Sequence, residues 1–349
     1  MILLDAVYVH NYGGKSILDL LIRFLKDKNL IDSFYFLLDS RYKNSFKLGS
    51  KFKYVNASEK ERWAFYKKNK SHFSSILCLA NVPPPIKIKS PVLIYFHNDL
   101  LINYNEANLS LNSKFLFFLK FSYIKHKSQE TYYWAVQTDI MKKKIFDKGF
   151  IKEDKIKIFP IYKDNISTPT KKEKNTFIYV SNPMPHKNIK NLILAFAHLS
   201  QKINYEIQLN LTSLKKDFID IDFERQKNLK IFWHGEIEKN KLETIYKRCE
   251  FLIYPSLKES FGLPLIEAIQ HNCKILASDL PYVHEIIEPS LVFNPNSYKD
   301  ISKAINLALN SEKLKESKIK IKNTLPEMID FLILKTKTKT KTKTKTKTK

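Results

Sequence analysis

Residues 250–279 read EFLIYPSLKESFGLPLIEAIQHNCKILASD, and this stretch decides the fold. Phe251 to Tyr254 is a short apolar, aromatic run of the kind that forms a strand buried on both faces. Pro255 ends it, a polar loop follows, and a helix begins at Pro264, where a missing N–H is harmless because a first-turn N–H has no intrahelical partner. A second buried strand, Lys274 to Ala277, closes the unit. The loop therefore sits at the carboxyl end of a strand, the place where open α/β sheets bind ligands. Two carboxylates belong to it: Glu259 in the loop and Glu267, read as lying in the first helical turn, with seven residues between them. Between them is Gly262, one of only six glycines in the chain. A glycine that lets a ligand approach the backbone beside a helix N-terminus makes a ready anion site.

Composition bounds the rest. A chain of 349 residues with 44% hydrophobic and 13% aromatic content is globular and long enough for two domains. Cys78, Cys249 and Cys273 have no metal-ligand spacing and no even count, so the expected compartment is reducing and cytoplasmic. The opening MILLDAVYVHNYGG lacks a basic leader and is interrupted by Asp5, so it reads as a first strand and glycine turn rather than a signal peptide. No run approaches the roughly 18 apolar residues of a spanning helix. The formal charge is +25, of which the strict Lys-Thr alternation from Lys335 to Lys349 supplies eight lysines. Such a charge favours an anionic partner: lipid head groups, nucleic acid or a phosphorylated substrate. No nucleic-acid motif accompanies it, which ranks an anionic membrane surface above nucleic acid and sets nucleic acid aside as a partner.

Strand and helix patterns alternate along the chain. Residues 2–9 form the first strand, Gly13-Gly14 a turn with the shape of a phosphate-approach loop, and Ile17 to Leu25 a helix. Further strands are expected at Phe34 to Leu38, Ser75 to Leu79, Val92 to Phe96, Trp134 to Gln137 and Ile156 to Pro160, with a helix at Glu59 to Lys68. His97 follows the Val92–Phe96 strand and so falls on the ligand side of the sheet. Asn112 to Lys127, NSKFLFFLKFSYIKHK, reads as a core-facing helix, with an interfacial helix among anionic head groups as the alternative. Residues 162–175 are polar and without apolar period, marking a boundary. Beyond it the alternation restarts with Phe177 to Val180, a loop through Ser181, Asn182 and Lys187, and a helix from Ile189 to Leu199. Two successive runs of this kind predict an α/β protein with two doubly wound parallel sheets: residues 1–165, residues 166–334, and a disordered Lys-Thr tail at 335–349.

These residues carry a resemblance. YPSLKESFGLPLIEAI, with its E-x7-E spacing, resembles the signature of retaining family-4 glycosyltransferases of the GT-B fold. FIYVSNPMPHKNIKNLILAF, HGEIEKNKLETIYKRCEFLIYPS, SDLPYVHEII and LVFNP resemble the family's flanking segments in the expected order. The resemblance implies two Rossmann-like domains with a cleft between them, an N-terminal acceptor-side domain and a C-terminal domain that binds a UDP- or GDP-linked sugar. It implies that Lys187 and the backbone of Ser260, Phe261, Gly262 and Leu263 hold the diphosphate, with Asn182 beside them. It further implies that Glu267 accepts from the ribose hydroxyls, that Glu259 and His97 lie by the donor sugar, and that Gly13 and Gly14 approach the diphosphate and acceptor. Glu259, His97 and Lys187 are the expected catalytic residues. No cofactor and no obligatory metal are implied. The implied reaction is sugar transfer with retained configuration onto a glycan or lipid-linked acceptor of the cell envelope, on the inner face of the cytoplasmic membrane. Other GT-B chemistry (sugar-nucleotide epimerisation or phosphorolysis) and a catalytically impaired sugar-nucleotide-binding protein are the alternatives. Two departures stand out. The family usually has Gly-Arg where this chain has Ser181-Asn182, and Pro326 with the Lys-Thr tail replaces a long closing helix that normally returns to the first domain.

Overall fold

The computed structural model describes residues 1–10, 12–42, 51–104, 110–164, 167–218 and 227–345. They form two units, Met1–Lys163 with Asn323–Lys349, and Asp164–Lys322. The segment 323–334, expected to end the second domain, thus belongs to the first.

The first unit opens with β1 (Ile2–Ala6) and α1 (Tyr12–Asp27), then β2 (Phe34–Asp39), β3 (Phe52–Val55) and α2 (Glu59–Asn69). It continues with β4 (Ser75–Cys78), β5 (Val92–Tyr95), α3 (Leu111–Lys127), β6 (Tyr133–Val136), α4 (Asp139–Phe146) and β7 (Ile156–Ile158). The strands make one sheet in the order β3-β2-β1-β4-β5-β6-β7, and every pairing is parallel. Alternate residues of β1 serve opposite faces. Ile2, Leu4 and Ala6 join Ile17, Leu18, Leu21 and Leu25 of α1, while Leu3 joins Phe65 and Tyr66 of α2 on the other side. That two-sided burial is why the strand reads as a continuous apolar run. Asp5, which interrupts the run, is buried against the Arg62 guanidinium at 2.8 Å and the Tyr66 hydroxyl at 2.7 Å. Burial without those partners would be strongly destabilising.

Four expectations for this unit are corrected. Gly13 and Gly14 do not form a turn: they lie in the first turn of α1, and neither has a positive φ. The helix α3 is not core-facing along its length. Phe117, Phe121 and Ile124, spaced i, i+4, i+7, turn inward, whereas Leu111, Phe115, Leu116, Phe118 and Leu119 are exposed. A helix this rich in aromatics has more apolar residues than its inward stripe can hold. Finally, Pro326 does not interrupt the end of the chain. It lies in the first turn of α10 (Leu325–Lys345), where proline is tolerated, and the helix lies on the first unit. Leu325, Met328, Ile329 and Leu332 enter the same core cluster as α1, and Phe331 meets Tyr133 edge-on at 5.1 Å. The helix continues through Lys345, against the expectation of disorder from residue 335; residues 346–349 lie outside the described residues. A packed first stretch supplies the nucleus, and adding further turns to a nucleus is cheap.

The second unit contains β8 (Glu173–Tyr179), α5 (Ile189–Ser200), β9 (Ile207–Leu211), β10 (Leu229–Trp233), α6 (Lys239–Arg248) and β11 (Cys249–Tyr254). There follow α7 (Leu263–Gln270), β12 (Lys274–Ser278), α8 (Pro281–Ile286), β13 (Ile287–Glu288), β14 (Leu291–Phe293), α9 (Tyr298–Asn310) and β15 (Lys318–Ile319). Its main sheet runs β10-β9-β8-β11-β12-β14, all parallel. Phe177 and Phe251 are register partners on β8 and β11, and their rings stack at 4.9 Å. In each unit the strand order reverses between two adjacent strands, β1 and β4 in the first, β8 and β11 in the second. The carboxyl ends at such a switch point open the crevice that ligands use.

Candidate active site

The two loops that leave the switch point of the second unit, 180–188 after β8 and 255–262 after β11, are joined by a backbone and a side-chain hydrogen bond. Leu257 N–H donates to the His186 carbonyl at 2.8 Å, and Asn188 Nδ2 donates to the Pro255 carbonyl at 3.1 Å. Asn188 can do this because it adopts the left-handed region at φ 59°, which asparagine tolerates better than other side-chain-bearing residues. The junction brings together two predicted residues. Lys187 Nζ donates to both oxygens of Glu259, at 2.7 and 2.9 Å, with side chains only 15% and 10% exposed. Glu259 was expected by the donor sugar and Lys187 at the diphosphate; here they form one ion pair.

Three tyrosines frame the pair; the sequence placed Tyr179 and Tyr254 only as strand aromatics and gave Tyr282 no role. Tyr254, the last residue of β11, donates its hydroxyl to Glu259 Oε1 at 2.9 Å. Burial, reinforced by Glu259, holds that hydroxyl protonated well above the ordinary phenol range, so it serves as a fixed donor. Tyr179 ends β8 and donates to the Lys187 carbonyl at 2.8 Å, lying 2.7 Å from Ser256 Oγ; Tyr282 donates to the Ser256 carbonyl at 2.8 Å. A hydroxyl at the carboxyl end of two neighbouring strands was the signal available for finding them.

Gly262 occupies the N-cap of α7 with φ +79°, a conformation that only glycine adopts freely. An added Cβ would also lie 3.1 Å from Leu265 Cδ1. We expect Gly262→Ala to lower the unfolding free energy by about 1–2 kcal/mol, read from denaturant titration; an unchanged midpoint would rule out the strained cap. Phe261 is buried, so what it can offer a ligand is its backbone. Glu267 is the fifth residue of α7, in the second turn rather than the first as read from the sequence. The helix dipole therefore contributes little to its placement, since that effect fades beyond the first turn. Its Oε2 lies 3.5 Å from the Tyr246 hydroxyl, at the limit of a hydrogen bond. Asn182 stands where a cation was expected, and its buried Oδ1 makes no hydrogen bond among the described residues. The expectation of metal-free transfer rests in part on a supposed lack of any Asp-x-Asp triplet, which is a misreading: Asp220-Ile221-Asp222 is one, and it lies outside the described residues.

In the first unit, Gly14 and His97 meet. A Cβ on Gly14 would lie 3.7 Å from His97 Nε2, whereas one on Gly13 would touch nothing. The His97 backbone N–H donates to Asn81 Oδ1 at 2.7 Å, which fixes the residue at the end of β5, and Nδ1 is enclosed. Burial pushes the imidazole down to about 4, so it is neutral at pH 7. A depressed value means the unfolded chain takes up a proton that the folded one refuses. The corresponding stability is complete above the ordinary value near 6.5 and is lost as pH falls from there toward 4. His97→Asn should therefore flatten the loss of unfolding free energy between pH 6.5 and 4.5 by about 2 kcal/mol relative to the parent. Parallel pH profiles for the two proteins would contradict a neutral buried imidazole.

Two doubly wound units with a helix-capped loop at a switch point are the architecture of the GT-B fold. Residues 162–324, which cover the second unit, match the family described as glycosyl transferases group 1. Among characterised relatives, the O-antigen chain mannosyltransferase RfbU of Salmonella typhimurium is 32% identical over 197 residues, covering 55% of this chain and 53% of that protein. This chain therefore spans about half the length of that relative in the match. Among solved structures, the lipopolysaccharide outer core galactosyltransferase WaaB in its apo form aligns over 96% of both chains with a TM-score of 0.60 at 15% identity. WaaG, a glycosyltransferase involved in lipopolysaccharide biosynthesis, aligns over 88% of this chain and 91% of its own with a TM-score of 0.66 at 13% identity. At these identities the solved structures speak for the fold.

Proposed function

We propose that this chain is a hexosyltransferase that takes a sugar, mannose in the first instance, from a nucleotide sugar and adds it to a growing cell-surface glycan. The observation that carries the reading is the cluster of Lys187, Glu259 and the Gly262-capped N-terminus of α7 at the switch point of a group 1 segment. Breaking the bond between the anomeric carbon and the diphosphate puts charge on the departing oxygen. Backbone N–H groups at a helix start and an ammonium are the groups that stabilise it without reorganising. Lys187 would turn from Glu259 toward the diphosphate, Glu267 would accept from the ribose, and neutral His97 with Gly14 would line the sugar and acceptor side. Mannose is suggested by the name of the similar Salmonella protein. A lipid-linked acceptor, retention of configuration, independence from metal and work at the inner face of the cytoplasmic membrane belong to the same proposal. No helix among the described residues is long and apolar enough to cross a membrane.

Thermal-shift measurement with GDP-mannose, UDP-glucose, UDP-galactose and UDP-N-acetylglucosamine tests the donor, because a ligand of the native state stabilises it by mass action. GDP-mannose should raise the melting temperature and the UDP sugars should not; stabilisation by a UDP sugar alone would overturn mannose. Anomeric analysis of the transferred sugar tests retention. A second reading, a sugar-nucleotide-binding protein without transfer, is favoured by Asn182 at the usual arginine position. Transfer or donor hydrolysis above the level of Glu259→Gln would exclude it.

A further inference from the structure

We propose that Tyr254 is a positioning residue for Glu259: its hydroxyl anchors one carboxylate oxygen, so that the other stays aimed at a hydroxyl of the donor sugar after Lys187 has turned to the diphosphate. That role rests on the donor-site reading proposed above, to which it adds the group that holds Glu259 during transfer.

The two oxygens of Glu259 are not equivalent. Oε1 accepts from Lys187 Nζ at 2.7 Å and from the Tyr254 hydroxyl at 2.9 Å. Oε2 accepts from Lys187 Nζ at 2.9 Å and, among the described residues, from no other group. When the ammonium turns to the departing diphosphate, Oε1 keeps one partner and Oε2 keeps none. A carboxylate tethered by one oxygen has a fixed direction for the other, which a sugar hydroxyl can meet with a charge-assisted hydrogen bond. Without the tether the glutamate side chain would regain its rotamer freedom, and that freedom opposes any single orientation.

Tyr254 is rigid enough for the task. It ends β11, is buried, and meets Tyr179 edge-on at 5.5 Å. Burial, with Glu259 next, keeps its hydroxyl protonated well above the ordinary phenol range, so the bond runs in one direction, from tyrosine to carboxylate. The same hydroxyl lies 3.8 Å from where a Cβ on Gly262 would stand, which puts the tethered oxygen beside the start of α7. The chain after Tyr254 is pinned as well. Asn188 donates to the Pro255 carbonyl, Tyr282 to the Ser256 carbonyl, and the Leu257 N–H to the His186 carbonyl. With that backbone fixed, the direction of the Glu259 side chain is the variable left to control. The other two tyrosines of the frame are committed elsewhere, Tyr179 to the Lys187 carbonyl and Ser256 Oγ, Tyr282 to the Ser256 carbonyl.

Tyr254→Phe removes the hydroxyl and keeps the ring, so the Lys187–Glu259 pair should survive with a melting temperature near the parent's. The parent, Tyr254→Phe, Glu259→Ala and the double variant are compared with whichever of GDP-mannose and the UDP sugars stabilises the parent. Sugar-nucleotide affinity and the rate of nucleoside diphosphate release are both read. Tyr254→Phe should lower that rate about tenfold. Affinity for the bare nucleoside diphosphate, GDP or UDP, should be unchanged, because that ligand has no sugar for Glu259 to hold. In the Glu259→Ala background the same substitution should have no further effect on either quantity, since no carboxylate is left to position. A hydroxyl that only supports the fold would instead act by the same factor in both backgrounds. A parental rate in Tyr254→Phe, weakened binding of the bare nucleoside diphosphate, or equal losses in the two backgrounds would each overturn the positioning role and leave the donor site standing. A parent that neither binds nor cleaves any of these sugar nucleotides would overturn the donor-site reading and the role of Tyr254 with it.

Discussion

Lys187→Ala is expected to reduce sugar transfer by about 10²–10³-fold, the largest effect of any single substitution considered for this chain. Two consequences must be separated. Removing the ammonium takes away the cation available to the departing diphosphate. It also strips Glu259 of both its 2.7 and 2.9 Å contacts, leaving a largely enclosed carboxylate with the Tyr254 hydroxyl. Breaking one side of such a pair costs on the order of 3 kcal/mol of stability. The double variant Lys187→Ala/Glu259→Gln distinguishes the two. It should recover most of the lost stability, since no unpaired charge remains, while transfer stays at the level of the single variant. Recovered transfer in the double variant would make the pair a structural ion pair only and remove Lys187 from the donor site.

Glu267→Ala should act differently. Its side chain is partly exposed on the second turn of α7, with the Tyr246 hydroxyl 3.5 Å away. If it accepts from two ribose hydroxyls, the loss of charged hydrogen bonds predicts a fall in kcat/KM of about 10–150-fold. The fall should appear mainly in KM for the donor, with KM for the acceptor unmoved. A variant with parental donor KM would show that the ribose is held elsewhere.

Much of this arrangement is legible before any coordinates. The parallel strands announce themselves because both faces of each are buried, so Ile2–Leu4 of β1, Phe177–Tyr179 of β8 and Phe251–Tyr254 of β11 read as apolar runs. Glu259, Gly262 and Lys187 are legible because they sit in loops, where residue type answers to a ligand rather than to packing. What the sequence hides depends on tertiary context. Nothing in YPSLKE says that Tyr254 turns its hydroxyl onto Glu259, since a tyrosine at a strand end serves a core equally well. Gly13-Gly14 has the look of a turn, yet the helix α1 starts ahead of it, and the lack of side chain at Gly14 serves proximity to His97 instead. The orientation of α3 was open because an apolar helix and an interfacial helix share one composition and differ only in how much neighbouring surface exists to cover them. Pro326 was misleading for a related reason: the same residue breaks a helix from inside and begins one from its first turn.

The path of the chain through its two units bears on how the protein is made. Residues 164–322 form a continuous insertion within the first unit, which needs Leu325, Met328, Ile329 and Leu332 to finish the core under α1. On the ribosome the second unit has all its strands before the first has its last helix. The usual order, in which the N-terminal domain folds first, is therefore reversed for completion here. Until the stretch from Leu325 to Leu332 has been synthesised, the apolar side of α1 and its sheet lacks that cover, and a nascent chain held at that stage exposes the surface that chaperones bind.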